Sequence, residues 1–285
     1  MRVSGGTRLF VVFGDPVEHS LSPVMQNAAL QAAGIDGLYI PWRVRAPGLS
    51  AALDSLRWME NFGGANVTLP HKEQAASLVD ELSPEAASVG AVNTIVSRDG
   101  RLLGANTDGQ GFLRSLHEEG GFVQRGRRAA ILGAGGAARA VAWSLVEAGI
   151  AEILILNRTS ERAELLADLV SRRMGVSALG LGLGDPRTRA QLATCALLVN
   201  ATPVGLRPSD PSPIDPTLLG PQILVYDLIY RPRETALLRE AKRRGCQALG
   251  GLGMLLYQGA LAFELWTGRK PPEQAMRTAL LQALA

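Results

Sequence analysis

The chain has 285 residues, of which 47% are hydrophobic and 19% charged, and a formal net charge of +3. That length and composition predict two globular domains with sizeable cores. The basic residues are scattered as single or paired arginines with no interleaved aromatics, which argues against a nucleic-acid surface. The two cysteines, Cys195 and Cys246, lack metal-ligand spacing and suggest no disulfide framework, so no metal site is expected. Leu9 to Phe13 is too short an apolar run for a signal peptide. The stretch ALGGLGMLLYQGALAFELW is broken by four glycines, Gln258 and Glu264, so it is a poor membrane span. The expectation is a soluble cytoplasmic protein that acts on a small molecule, as a monomer or homodimer.

In chain order, RLFVVFG predicts a strand, PVMQNAALQAAG a helix closed by Gly34, and LYIPWRV a second strand. PGLSAALDSLRWM predicts a helix, GGANVTL a strand, and His71 to about Val79 a further helix. GAVNTIVSRDGRLLGANTD predicts a hairpin turned by Asp99-Gly100. After Asp108, GFLRSLHEEG reads as a helix leading to a second unit. There RRAAILGAGGAARAVAWSLVEAG predicts a strand, a glycine turn and a helix, and EILILN is the next strand, with a helix from Ser160. ALGLGLGDP, near residues 178 to 186, reads as strand and loop, and ALLVNAT and ILVYDLIY as strands. RETALLREAKRRG predicts an amphipathic helix ended by Gly245, and helices over about 252–267 and 273–284 close the chain. Alternating strands and helices place both units in the α/β class.

ILGAGGAARA fits the pattern G-x-G-x-x-A, with Gly133, Gly135 and Ala138 at the fingerprint positions. The first glycine allows a tight turn, the second lets backbone approach a pyrophosphate, and the small third residue permits close helix–strand packing. Placed between a strand and a helix, this turn predicts dinucleotide binding at a helix N-terminus. The next strand ends in NRTSER, so Asn157, Arg158 and Thr159 stand where an NAD site has an acid, with Arg162 one turn later. A guanidinium can bind a 2′-phosphate through charge-assisted hydrogen bonds, so the reading is NADP rather than NAD. The plainer alternative is a solvated arginine beside a helix cap formed by Thr159 or Ser160.

In the first unit, HSLSP sets Ser20 and Ser22 before Pro23. Locally Ser22 reads as an N-cap, but two hydroxyls with a helix start also suit a small carboxylate. NVTLPHK places Lys72, one of three lysines in the chain, where a helix should begin. The macrodipole disfavours a cation there, which marks Lys72 as a candidate for acid–base work with Asp108 of NTDG. Asn66, Thr68 and Asn93 add uncharged donors and acceptors suited to a polyhydroxylated ligand. His19, His71 and His117 read as structural.

HSLSP, NVTLPHK, GAVNT, NTDGQGF, GAGGAAR, NRT, NATPVG, YDLIY and GLGMLLYQG occur in the order seen in shikimate dehydrogenases, from about residue 10 to residue 270. The chain resembles that family. The resemblance implies NADP-linked interconversion of 3-dehydroshikimate and shikimate in aromatic amino acid biosynthesis. It also implies an N-terminal α/β substrate domain over residues 1–108 and a Rossmann-type NADP-binding domain over 109–250. Helices over 251–285 would return to the substrate domain across a cleft. By motif, Lys72 looks like the catalytic lysine and Asp108 its partner. Ser20 and Ser22 look like carboxylate binders, Thr68, Asn93 and Gln258 like holders of ring hydroxyls, and Tyr230 like a further substrate residue. Gly133, Ala134, Gly135, Gly136, Ala137, Asn157, Arg158, Thr159 and Arg162 match cofactor contacts. Thr202, Leu228 and Gly251 match weaker contacts near the nicotinamide end. The chain departs from many relatives at Leu21, where they carry lysine. Ser22 and Arg158 point to shikimate with NADP over quinate. The rival readings are a quinate-directed dehydrogenase and a metabolite-binding protein without turnover.

Overall fold

Phe10, Val11, Val12 and Phe13 are all buried, so the first strand is covered on both faces and has strand neighbours on both edges. This strand, β1 (Arg8–Gly14), pairs in parallel with β2 (Gly37–Arg43) and β3 (Phe62–Val67). β3 pairs antiparallel with β5 (Thr94–Arg98), which forms a hairpin with β6 (Arg101–Ala105). Asp99 (φ 51°) and Gly100 (φ 74°) make that turn, and the pair of positive φ values is what a two-residue hairpin matched to strand twist needs. The two-residue β4 (Glu81–Leu82) runs parallel to β6 and completes the mixed sheet in the order β2-β1-β3-β5-β6-β4.

The structure, a computed structural model, describes residues 3–285. It divides into two compact units, one made of the chain up to Gly111 with Leu256–Ala285, the other of Phe112–Leu255. In the first unit, helices α1 (Ser22–Ala32), α2 (Leu49–Leu56), α3 (Lys72–Ala76) and α4 (Pro84–Val89) connect the strands. Leu49, Leu53 and Leu56 of α2 pack with Val11, Phe13, Ala65 and Ile95 of the sheet. The unit also takes most of α10 (Leu252–Thr267) and all of α11 (Glu273–Ala283), and α11 lies against α1. Trp266 donates from Nε1 to the Ile95 carbonyl at 3.0 Å. A Cβ at Gly64 would stand 2.2 Å from the Trp266 ring, so glycine is required where that ring meets β3.

The second unit is a parallel sheet of β7 (Arg128–Leu132), β8 (Glu152–Asn157), β9 (Ser177–Gly182), β10 (Leu197–Asn200), β11 (Leu224–Asp227) and β12 (Ala248–Gly250). Its order is β12-β11-β10-β7-β8-β9, so the winding reverses between β7 and β10, as in a Rossmann-type sheet. Side chains alternate between two cores. Ala129, Ile131, Ile153, Ile155 and Val199 meet Phe112 and Leu116 of α5 (Asp108–Glu118), Val141 and Leu145 of α6 (Gly136–Glu147), and Leu166 of α7 (Ser160–Met174). Ala130, Leu132, Leu154, Leu198 and Val225 meet Leu192 of α8 (Thr188–Leu192) and Leu237 and Ala241 of α9 (Ala236–Arg243). Gly245 (φ 78°) follows the α9 cap residue Arg244 in the left-handed conformation expected of a helix stop. The α/β class and both sheets agree with the sequence reading.

Some elements differ from expectation. The helix expected from His71 to Val79 is only the short α3, and the helix expected over 47–59 opens with a 3₁₀ turn at Ala46–Gly48 and stops at Leu56. β11 ends at Asp227 rather than running on to Tyr230. β4, α4, α8 and β12 were not expected, and at two to six residues they are too short to display a period. Among the described residues, no helix is long and apolar enough to cross a membrane.

Candidate active site

His71 sets the position of Lys72. Its ring is buried, and Nε2 lies 2.6 Å from the Val44 carbonyl, which fixes Nε2 as the protonated, donating nitrogen. Lys72 begins α3, and its carbonyl accepts from Val92 N at 2.9 Å, so its backbone is held from both sides. The side chain reaches Asp108, with Nζ 2.7 Å from Oδ2. α3 is five residues long, so the field that opposes a cation at its start is small, and the carboxylate offsets it.

Asp108 opens α5, where a carboxylate suits the helix N-terminus. Its backbone N–H donates to Asn106 Oδ1 at 3.1 Å, and its Oδ1 accepts from Asn93 Nδ2 at 2.9 Å. The Asn93 amide also faces Thr107 Oγ1 at 3.0 Å and Gln258 Oε1 at 3.3 Å, sharing two hydrogens among three acceptors. Asn93 Oδ1 accepts from the Thr107 N–H and the Thr94 hydroxyl, and Thr107 Oγ1 donates to the Gln258 carbonyl. The Lys72 and Asp108 side chains keep 28% and 13% of their surface, whereas Asn93 is buried, so the charged end of the network alone meets solvent.

The network extends to the serines. Asn66 donates to the Asn93 carbonyl at 3.0 Å and accepts from the Tyr39 hydroxyl at 2.7 Å. Burial pushes the Tyr39 phenol well above its ordinary pKa, and the Ser22 hydroxyl beside it counters that in part. Ser22 is not the N-cap: Leu21 holds that position without a side-chain cap, and the Ser20 hydroxyl accepts from Ser22 N at 3.3 Å. Leu21 is drawn into the core, which carries Ser22 into the helix and leaves Ser20 to serve its first turn. Thr68 is half-buried at the end of β3, and its N–H donates to the Phe13 carbonyl. Lys72, Asp108, Asn93 and Gln258 are thus joined directly, and Ser22 joins them through Tyr39 and Asn66. Tyr39 and Thr107 were not singled out from sequence. Thr107 beside Asp108 was a usable signal, but Tyr39 looked like any strand aromatic.

In the second unit, Gly133 (φ 108°) makes the turn after β7, where a Cβ would press on the Ala201 carbonyl at 3.1 Å. Gly135 is the α6 N-cap, and a Cβ there would meet nothing within 4 Å. Gly135, Gly136 and Ala137 are exposed and Ala134 half-buried, while Ala138 is fully buried against the core. The open space beside bare helix N–H groups fits a pyrophosphate. At the end of β8, Asn157 Nδ2 donates to the Thr159 carbonyl at 2.9 Å, shaping the loop on which Arg158 is exposed. Thr159 is the α7 N-cap but makes no side-chain cap bond, and Arg162 is exposed in the first turn. Two guanidiniums at this strand end fit a 2′-phosphate, and the nearest acid in sequence, Glu161, lies beyond the loop in the first turn of α7. Thr202 follows β10, and Leu228 and Tyr230 follow β11. Burial raises the Tyr230 phenol pKa, partly countered by Arg231. A Cβ at Gly251 would stand 2.1 Å from the Leu228 carbonyl, so glycine is obligatory there. Among the described residues, no cluster of three or more His, Cys, Asp or Glu side chains could hold a metal.

Comparison with known proteins identifies the family. Residues 12–95 match the shikimate dehydrogenase substrate binding domain, residues 118–180 the shikimate/quinate 5-dehydrogenase family, and residues 251–281 the shikimate 5′-dehydrogenase C-terminal domain. The chain is 47% identical over 285 residues to the shikimate dehydrogenase (NADP⁺) of Moorella thermoacetica, covering 100% of this chain and 96% of that protein. It is similar to the structure of Thermus thermophilus shikimate 5-dehydrogenase in complex with NADP(H) and shikimate. That match has 44% identity and a TM-score of 0.86, and covers 98% of this chain and 100% of the other. The Listeria monocytogenes shikimate 5-dehydrogenase in complex with shikimate and NAD matches with 37% identity and a TM-score of 0.91, covering 98% of each chain. With relatives of this identity matched along its whole length, the chain belongs to the shikimate dehydrogenase family.

Proposed function

We propose that this protein is an NADP-dependent shikimate dehydrogenase that interconverts 3-dehydroshikimate and shikimate in aromatic amino acid biosynthesis. The observation that carries the reading is the 2.7 Å Lys72–Asp108 pair, joined to the Asn93–Gln258 amide cluster within a chain of this family. The relatives' complexes with shikimate, NADP(H) and NAD support the substrate and the class of cofactor. The choice between the two cofactors rests on Arg158, which stands where an NAD site has an acid, and on Arg162 one turn later.

Held by the Gly133–Ala137 turn and by Arg158 with Arg162, the cofactor would supply hydride chemistry at the ketone carbon in either direction. Lys72 supplies a proton to the oxygen as negative charge grows there, and in reverse it accepts the proton of the hydroxyl. Asp108 takes a hydrogen bond from Nζ and holds the amine in one direction, while Asn93 fixes the other carboxylate oxygen. Asn93, Gln258 and Thr68 bind ring hydroxyls, and Ser20 and Ser22 bind the substrate carboxylate. The exposed turn Gly133–Ala137 binds the pyrophosphate, and Arg158 with Arg162 the 2′-phosphate. A quinate-directed enzyme is the second reading, favoured by the shikimate/quinate family match. Purified protein mixed with shikimate and NADP⁺ should generate reduced-cofactor absorbance. Turnover with quinate and NAD⁺ at higher kcat/KM would transfer the assignment to the second reading, and no turnover with either would reject both.

A further inference from the structure

The ends of β10 and β11 share one polar network. Asp227, the last residue of β11, is fully buried. Its Oδ1 accepts from Asn200 Nδ2 at 3.0 Å and from the Ile229 N–H at 3.1 Å, and its Oδ2 accepts from the Thr235 hydroxyl at 2.7 Å. Asn200 ends β10 and passes the constraint on. Its Oδ1 accepts from the Thr202 N–H at 3.0 Å and hydroxyl at 2.7 Å, and its Nδ2 donates to the Val204 carbonyl at 3.2 Å. Thr235 in turn caps α9 by accepting from Leu238 N. Gly251 N donates to the Ile229 carbonyl at 3.1 Å, so the start of α10 leans on the same loop. One carboxylate therefore fixes the loop after β10, the loop after β11 and the start of α9.

The sheet order gives that network a ligand to serve. Arg158 follows β8 on one side of β7, while β10 and β11 lie on the other side. A dinucleotide with its pyrophosphate at the β7 turn and its 2′-phosphate at Arg158 must send its nicotinamide half over the ends of β10 and β11. Those strands lie one and two spacings away, each about 4.8 Å. We infer that Asp227 is a positioning residue, binding the two loops into a shelf that holds the nicotinamide half of the cofactor without touching the adenosine half. The inference rests on the cofactor reading above. Burial raises the Asp227 pKa, and the hydrogen bonds from Thr235, Ile229 and Asn200 counter this only in part. The Gly133 turn also has an anchor of its own, through its N–H to the Leu156 carbonyl at 2.8 Å, so the phosphate site keeps a support apart from Asp227.

The test is binding of NADPH against binding of 2′-phospho-ADP-ribose, which lacks the nicotinamide, measured by calorimetry on the full chain beside thermal midpoints. Asp227→Ala should weaken NADPH about tenfold or more while 2′-phospho-ADP-ribose changes less than about twofold. Asp227→Asn, which retains an oxygen for Asn200 and Ile229, should recover most of the NADPH affinity. Asn200→Ala cuts the link to Thr202 and should repeat the selective loss, so the test stands even where Asp227→Ala does not fold. A fall in thermal midpoint with both ligands weakened equally, or with neither weakened, would overturn the inference and leave the cofactor reading intact. A wild-type protein that binds neither ligand would overturn both.

Discussion

Each unit centres a polar network on one aspartate, and the two networks are built in opposite ways. Around Asp108 the partner is a cation, Lys72, at 2.7 Å, and both side chains keep part of their surface. Around Asp227 every donor is neutral and the carboxylate is wholly buried. A group that must exchange a proton needs a charged partner and a path to the substrate. A group that must only hold loops is served by neutral donors in a place without water, where their hydrogen bonds are stronger. On the proposed reading, the contrast separates a carboxylate that orients chemistry from one that orients backbone.

Substitutions can break this contrast, and Lys72→Ala should have the largest effect. Loss of general acid–base catalysis predicts a fall in kcat of about 10²–10⁴-fold with substrate KM nearly unchanged, read from steady-state kinetics with shikimate. Loss confined to KM would make Lys72 a binding residue. Asp108→Asn should cost less, because the amine remains and only its charged hydrogen bond is lost. The expected fall in kcat is about 10–100-fold, equivalent to roughly 1.5–3 kcal/mol.

Arg158→Ala sharpens the comparison from the cofactor side. It should raise the NADPH KM by an amount equivalent to roughly 1.5–3 kcal/mol and leave the NADH KM unchanged. Equal use of both cofactors by the wild type would remove the basis for this prediction. Ser20→Ala should be milder, raising the shikimate KM about 2–10-fold with kcat retained, the effect of one neutral hydrogen bond.

The smallest effect belongs to a third carboxylate, the half-buried Asp185. The Arg187 guanidinium, bonded to it at 2.7 and 3.0 Å, holds its pKa down to about 2. A lowered folded-state pKa stabilises the protein above the ordinary carboxylate pKa, and that contribution fades as pH falls from about 4 toward 2. Thermal midpoints across that window should fall slightly less steeply for Arg187→Ala than for the wild type. An identical slope would show that the pair contributes nothing.

Much of the frame was legible because its signals are local. The Asp99-Gly100 turn needs two positive φ values, and the turn at Gly133 needs a missing Cβ, so each residue announces its own geometry. The Lys72–Asp108 contact spans 36 residues, and nothing local predicts it; motif order brought the two together before the fold did. Ser22 misled as a cap because the competing pull on Leu21, burial in the core, is tertiary. Asp227 escaped notice, although an acid within the apolar run ILVYDLIY was itself a signal that the strand ends in a polar network. Tyr39 carried no such mark, because its link to Asn66 reaches from β2 across β1 to β3.

The most direct test of the central claim is a double-mutant cycle on kcat with Lys72→Ala, Asp108→Asn and the two combined. If Asp108 acts through Lys72, adding Asp108→Asn to Lys72→Ala should slow turnover by no more than about threefold further. A combined loss equal to the product of the two single losses would contradict the account, because each side chain would then be acting alone.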